Sequence, residues 1–266
     1  MPQLTPERAA EFERCRRQVL EETFFQHGIG SLSERESHAI LKNFYCPDPS
    51  CQEINIGGFV ADISDSSGIT EIQSRGFGKL RRKLQCFLPN YPVRIVLPIA
   101  VVRWLIWVDP QTGELLSRRR CAPGSPLLLF RELYSILDLL WPDSLRVTLA
   151  MLECEEYRLK DGRGPDGKKG AHRCQLLPLR LIEEIELSCP ADLLTPLPEQ
   201  FHSAQLRCLT RARPRAVSYV IQVLRRLELI EQIGVENRFH IYRLVKDPPL
   251  LGSPNLGEPA TSSPEG

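Results

Sequence analysis

The chain has 266 residues, 42% of them hydrophobic and 25% charged, and a formal net charge of +1. These values are ordinary for a globular protein with one large domain, or one medium and one small domain. No apolar run approaches the roughly 18 residues that cross a bilayer, and the N-terminal residues lack the apolar core of a signal peptide, so we expect a cytoplasmic protein.

The nine cysteines are scattered along the chain, and their odd number does not suggest a disulfide framework. Cys46 and Cys51 lie close together, without the second close pair that zinc ribbons and fingers have. A structural zinc at this pair is the alternative. We expect free thiols, most of which act as small buried hydrophobic side chains.

Apolar spacing predicts a helix over residues 5–26 and a second helix in SERESHAILKNFY, with Ser33 as its N-cap. Three β-like runs follow, QEINI, FVADI and ITEIQ, separated by Gly57-Gly58 and by SDSSG. Next come a helix, FGKLRRKLQCFL, a strand apolar on both faces, VRIVLPIAV, and a further strand, RWLIWVD. The order of helix, three strands, helix and strand predicts an α/β core with a meander and a crossover.

The middle of the chain contains an amphipathic helix, LLLFRELYSILDLL, and a strand, LRVTLAMLECEEYRL. The Gly-rich basic loop at 160–173 either contacts phosphates or forms an exposed hairpin tip. The prolines of PADLLTPLPEQF indicate a domain boundary, and the Pro/Ser/Gly-rich tail at 247–266 is expected to be disordered.

Acidic and amide side chains lie in two of the β-like runs. Glu71 and Gln73 share one face of their strand because side chains alternate, and Asp62 lies on the preceding strand. The short turn between the strands can bring Asp62 beside Glu71, which gives an oxygen site suited to Mg²⁺. The alternative is the solvated face of an edge sheet, although a carboxylate cluster among buried neighbours is costly unless it is used.

The element order, Asp62 and the Glu71-Ile72-Gln73 motif resemble the PD-(D/E)xK, restriction-endonuclease-like nuclease superfamily over about residues 30–100, nearest in style to its Holliday-junction-resolvase-like branch. The resemblance implies Asp62 and Glu71 as ligands of Mg²⁺ or Mn²⁺. Gln73 stands where the superfamily usually has a lysine, and a neutral amide can orient a water but cannot act as a base. Glu-x-Gln occurs in the superfamily, so activity is not excluded.

The resemblance also implies an acidic residue from the helix that precedes the strands. Glu34 matches that place and Glu36 is the alternative, while the ordinary interpretation of Glu34 is an acid favoured by the helix dipole. His38 is one turn from Glu34 and is either a packing residue or a second group facing the site.

The C-terminal segment at 207–246 carries nine basic and three acidic residues, a net charge of +6 that suits a phosphate backbone. A short helix from Ser203, a helix entered by Arg213-Pro214 with a buried apolar stripe, and a hairpin resemble a winged helix-turn-helix. The resemblance implies a second helix in the major groove and DNA contacts from one group of side chains: Arg213, Arg215, Ser218, Tyr219, Gln222 and, on the wing, Arg238. A winged helix that binds protein is the alternative.

We therefore divide the chain into an N-terminal helical segment (1–29), an α/β restriction-endonuclease-like domain with an extension (30–190), a winged-helix domain (198–246) and a tail. The expected activity is Mg²⁺-dependent hydrolysis of phosphodiester bonds in DNA, without a membrane partner. Two other interpretations stay open: an inactive nuclease fold serving as a DNA-binding regulator, and a pair of protein-interaction modules. The oligomeric state is open, a homodimer included.

Overall fold

The computed structural model describes residues 4–27, 34–160, 172–194, 197–210 and 214–245. Within them the α-helices are α1 (Pro6–His27), α2 (Glu34–Tyr45), α3 (Arg81–Phe87), α4 (Leu128–Tyr134), α5 (Ser203–Thr210) and α6 (Pro214–Arg226). Short 3₁₀ helices occur at Pro49–Cys51, Phe77–Leu80, Leu137–Leu139 and Pro190–Leu194. The strands are β1 (Gln52–Ile56), β2 (Phe59–Asp65), β3 (Gly68–Ile72), β4 (Val93–Val108), β5 (Leu115–Cys121), β6 (Leu145–Leu159), β7 (His172–Leu187), β8 (Gln200–His202), β9 (Ile230–Glu236) and β10 (Phe239–Leu244).

Seven strands form one mixed sheet in the order β1-β2-β3-β4-β6-β7, with β5 paired to the second half of β4. Strands β1 to β3 are an antiparallel meander, β3, β4 and β6 run parallel, and β7 returns antiparallel to β6. The apolar run that opens β4 lies at the centre because Ile95, Val96 and Leu97 are each 2% exposed or less. The α/β class and the order from α2 to β4 are confirmed.

The turn between β1 and β2 explains why the meander forms at this point of the chain. Ile56 pairs with Phe59 across a two-residue loop, and Gly57 and Gly58 have φ angles of 59° and 82°. Two successive residues with positive φ make the hairpin turn that matches strand twist, and glycine adopts this conformation without steric cost.

Helices cover both faces of the sheet. One apolar cluster joins α1 and α2 to one face through Phe12, Phe44 and Ile72. The cluster on the other face contains α3 and α4 and continues into α6 and β10 through Val220 and Tyr242. The C-terminal elements, which include the three-stranded sheet β8-β10-β9, are therefore packed on the same core as α4.

Three features differ from the sequence predictions. The runs VRIVLPIAV and RWLIWVD form one continuous strand, β4, with a register shift between Ala100 and Val102. The helix predicted in LLLFRELYSILDLL ends at Tyr134, because Ser135 folds back on the Glu132 carbonyl through both its N–H and its hydroxyl. Strands β5 and β7 were not predicted. For β7, three register shifts in its pairing with β6 interrupt the alternation of apolar and polar residues that indicates a strand.

Among the cysteines, those whose side chains are described are free thiols, and only Cys15, Cys46 and Cys154 of these are buried. The prediction that most cysteines are buried is therefore wrong. The tail at 247–266 and nearly all of the loop at 160–173 lie outside the described residues. In the part of the chain that is described, no helix is long and apolar enough to cross a membrane.

Candidate active site

Strands β2 and β3 separate where the two predicted carboxylates lie. Their backbone pairing ends at Ile63 and Thr70, one residue short of Asp62 and Glu71. Beyond this point the Asp62 Oδ2 atom accepts the Ile72 N–H at 2.7 Å. A carboxylate thus satisfies the backbone donor of β3 at the break in the ladder.

His38 approaches Asp62 from α2, with its Nε2 atom 3.1 Å from Asp62 Oδ2. Burial alone would raise the pKa of Asp62, but the contact with His38 and the hydrogen bond from the Ile72 N–H outweigh it, and the pKa lies below its ordinary value. Asp62 is therefore held as a carboxylate. Of the two interpretations of His38, the structure favours the one in which it faces the site.

Glu71 is 2% exposed and lies on β3 beside the centre of the sheet. Burial, and after it the charge of Asp62, raise its pKa to about 7, although the contact with Lys83 opposes both effects. The Lys83 Nζ atom lies 3.0 Å from Glu71 Oε1 and 2.8 Å from Oε2. The pKa values of the two carboxylates are therefore shifted in opposite directions. Asp62 stays ionised, and Glu71 accepts a proton near neutral pH.

Lys83 is the main residue of this site that the sequence did not identify. It lies on α3 beside the buried Leu84, and its ammonium group reaches back to β3. The sequence does show a lysine beside the apolar face of an amphipathic helix. It does not show which strand residue that lysine contacts.

Gln73 follows β3, and both its backbone amide and its side-chain amide donate hydrogen bonds. Its backbone N–H donates to the Val96 carbonyl at 2.9 Å, and its side-chain Nε2 donates to the Arg75 carbonyl at 2.5 Å. The side chain is therefore fixed against the loop that follows β3. The side chain of Glu34 lies outside the described residues, and Glu36, its alternative, is buried at 7% exposure.

A cavity of about 340 Å³ opens next to this site, between α2 and the sheet. His38 and Ile72, which both contact Asp62, form part of its wall. Polar residues line it as well: Ser37, Gln73, Ser74, Arg75 and Lys79. Half of the apolar lining residues come from β4 and β6: Pro98, Ala100, Leu152 and Cys154.

The residues predicted to contact DNA are only partly brought together. Arg215, Ser218 and Gln222 are exposed on α6, and Gln222 Nε2 donates to Ser218 Oγ at 2.8 Å. Tyr219 packs on Tyr134 of α4, with ring centroids 5.4 Å apart.

Two further DNA-contact predictions concern residues outside the exposed face of α6. Arg238 occupies the turn between β9 and β10 with a φ of 68°. Arg213 lies outside the described residues.

The donors for a metal ion come as a pair. Among the described residues, no group of three or more His, Cys, Asp or Glu side chains lies within reach of one ion. A pair still suits Mg²⁺, which is usually held by one or two carboxylates and completes its shell with water or phosphate. The buried Glu71 carboxylate, destabilised by the charge of Asp62, is a group that a cation would stabilise.

Comparison with known proteins adds a family. Residues 35–188, more than half of the chain, match the model of a family described as "Domain of unknown function (DUF8091)". The chain belongs to the DUF8091 family. The matched part runs from α2 to the end of β7 and includes Asp62, Glu71 and Lys83.

A relative of this DUF8091 protein occurs in Treponema pallidum (strain Nichols), where it is described as an uncharacterized protein. The two sequences are 28% identical over 244 residues, which cover 90% of this chain and 94% of the relative. No solved structure matches the chain.

Proposed function

We propose that this DUF8091 protein is a Mg²⁺- or Mn²⁺-dependent nuclease that hydrolyses phosphodiester bonds in DNA. The observation that carries the proposal is the arrangement of Asp62 and Glu71 at the break between β2 and β3, with Lys83 in contact with Glu71. One or two carboxylates usually hold Mg²⁺, and a bound cation offsets charge on a phosphate.

The topology supports a restriction-endonuclease-like core. The meander β1 to β3, the crossover through α3 and the parallel pairing of β3 with β4 follow the order of that fold from α2 onward. Asp62 lies on the second strand of the meander and Glu71 on the third, as the motif requires.

Each residue has a separate task in the proposed reaction. Asp62 and Glu71 would hold the cation, which would stabilise charge on the phosphate and make a water molecule more acidic. Lys83 replaces the lysine that the motif lacks at Gln73: it reaches Glu71 from α3 and favours the ionised carboxylate. Gln73 orients water, and Glu34 is an auxiliary acid.

The C-terminal elements supply the proposed DNA-binding module, a winged helix. Its exposed α6 face carries Arg215, Ser218 and Gln222, and Arg238 lies at the tip of the β9–β10 hairpin. Tyr219 has a different task, since its contact with Tyr134 fixes α6 against α4.

A second candidate is an inactive nuclease fold that serves as a DNA-binding regulator. The side chain of Gln73 favours it, because its Nε2 atom is bound to the Arg75 carbonyl and the residue carries no charge. This candidate keeps the DNA-binding surface and lacks hydrolysis.

The test is cleavage of labelled duplex, single-stranded and branched DNA with Mg²⁺ or Mn²⁺, together with calorimetric titration of Mn²⁺. We expect Asp62→Asn and Glu71→Gln to abolish both cleavage and metal binding. Asp65→Asn is the matched control, because Asp65 also lies on β2 but accepts from Ser67 in the turn. Intact DNA binding without metal binding or cleavage would support the regulator instead.

A further inference from the structure

The cavity beside Asp62 has properties that the nuclease proposal does not use. Its walls are held in place on both sides, since Ser37 Oγ donates to the Leu176 carbonyl and His38 contacts Asp62. These contacts tie α2 to β7 and to β2. At about 340 Å³ the cavity lies at the small end of the range for ligand pockets, so it has room for one small group and not for a peptide.

The mouth of the cavity is positively charged. Arg75 and Lys79 are both exposed, and neither forms an ion pair within the described residues. Both follow β3 closely, in the loop and 3₁₀ helix before α3. Free cations at the rim of a mainly apolar cavity suit a ligand that combines a flat apolar ring with a phosphate.

The polar groups inside suit a heterocyclic ring more than a hydrocarbon. The Gln73 amide is held in one orientation by the Arg75 carbonyl, and amide side chains pair with the edges of bases. The His38 ring in the wall offers an aromatic surface on which a base can stack.

We propose that this cavity binds one unstacked nucleobase of the DNA strand that is cut, with the neighbouring phosphate on Arg75 and Lys79. The inference rests on the proposed nuclease function, and it adds a substrate class. A base inside a continuous duplex cannot enter a pocket without leaving the stack. The substrate is therefore a strand with an unpaired position, such as a single strand, a mismatch or a branch.

The test uses oligonucleotides that contain the fluorescent base 2-aminopurine, either unpaired or within a continuous duplex, and the full chain in EDTA. Ser74→Trp places a large side chain at the cavity wall, and Ala100→Leu fills the cavity from β4. Ser66→Trp is the matched control, an exposed serine in the turn between β2 and β3. Unchanged circular dichroism and melting temperature identify variants that fold.

We expect the wild type to bind the unpaired position at least about tenfold more tightly than the duplex, as one stacked base allows. Ser74→Trp and Ala100→Leu are expected to lose this preference, and Ser66→Trp to keep it. Equal affinity for the two forms in the wild type, or a preference that survives in both cavity variants, overturns the inference.

A base with a phosphate can belong to a DNA strand or to a free nucleotide, and competition with free deoxyadenosine monophosphate distinguishes the two. Displacement of the oligonucleotide at equal concentration would show that the pocket takes a free nucleotide, and this overturns its assignment to the strand. Since binding is measured without a divalent metal, a protein that keeps the preference but never cleaves DNA disproves only the nuclease function.

Discussion

The Lys83 Nζ atom lies 2.8 Å from the Oε2 atom of Glu71, and this contact joins α3 to β3. Glu71 is 2% exposed, so its carboxylate has little water to stabilise its charge. Lys83 is the cation that offsets this cost, and the pKa of Glu71 is nevertheless raised to about 7 by burial and by Asp62.

Replacing Lys83 by Met removes the cation and keeps most of the aliphatic stem. Glu71 is then unpaired and harder to ionise. We expect the free energy of unfolding to fall by about 1–3 kcal/mol at pH 8 and by much less at pH 5, where Glu71 is already protonated. Urea unfolding at the two pH values measures the difference, with Lys79→Met as the exposed control. Equal losses at both pH values would contradict the pairing.

The raised pKa of Glu71 also predicts how stability depends on pH. The folded protein has a pKa of about 7 at Glu71 against an ordinary value of 4.5, so it binds more protons than the unfolded chain between these values. Glu71 therefore lowers the free energy of unfolding as pH rises from 5 to 8, by about 1–3 kcal/mol.

The Glu71→Gln variant should remove this slope in urea unfolding between pH 5 and 8. Asp62 does not interfere, because its pKa is lowered and its stabilising contribution is lost only as pH falls below the ordinary value of 3.8. A slope that is the same in Glu71→Gln would show that another group titrates.

Asp62 has a structural task that two substitutions can separate from its proposed chemistry. Asparagine keeps an oxygen that can accept the Ile72 N–H, whereas alanine leaves this donor without its partner. We expect Asp62→Ala to be less stable than Asp62→Asn by about 1–2 kcal/mol. Hydrogen exchange at the Ile72 amide should be faster in the alanine variant, and identical exchange would exclude the hydrogen bond.

Glu132 on α4 holds the loop that follows β3. Its Oε2 atom accepts the N–H groups of Gly76 at 2.5 Å and Phe77 at 3.0 Å, and the side chain is buried. Because Glu132→Ala leaves two backbone donors without acceptors, we expect a loss of about 2–3 kcal/mol in urea unfolding. Arg131→Ala, its exposed neighbour on α4, should cost almost nothing. Equal effects of the two variants would disprove the role of Glu132.

The exposed face of α6 gives a prediction about salt. If Arg215 contacts a phosphate, Arg215→Ala weakens DNA binding and reduces the slope of log affinity against log salt by about 1. Arg146 is the matched control, an exposed arginine paired with Glu186 on the large sheet. Fluorescence anisotropy over a series of salt concentrations measures both slopes. An unchanged slope in Arg215→Ala would remove α6 from the DNA interface.

Much of the core around Asp62 could be predicted from the sequence because the signals are local. Gly57-Gly58 specifies a tight turn between β1 and β2. The charge of Asp62 acts on Glu71 because a short turn joins their strands. These relationships span at most ten residues.

Contacts that depend on packing between distant elements could not be predicted. Lys83 meets Glu71 only because α3 crosses over the sheet at a particular angle. Tyr219 was expected at the DNA surface, but its ring packs on Tyr134, because α6 lies against α4. The spacing of apolar residues shows which face of a helix is buried. It does not show which other element the residues at the edge of that face contact.

The most direct test of the proposed hydrolysis is the rate at which the wild type and Asp62→Asn cleave a labelled DNA strand with an unpaired position, with Mg²⁺ and with EDTA. We expect the wild type to cleave only with the metal, and Asp62→Asn to cleave at least about a hundredfold more slowly. Asp65→Asn should cleave like the wild type. No metal-dependent cleavage by the wild type, or equal rates in Asp62→Asn and Asp65→Asn, would contradict the nuclease function assigned to Asp62 and Glu71.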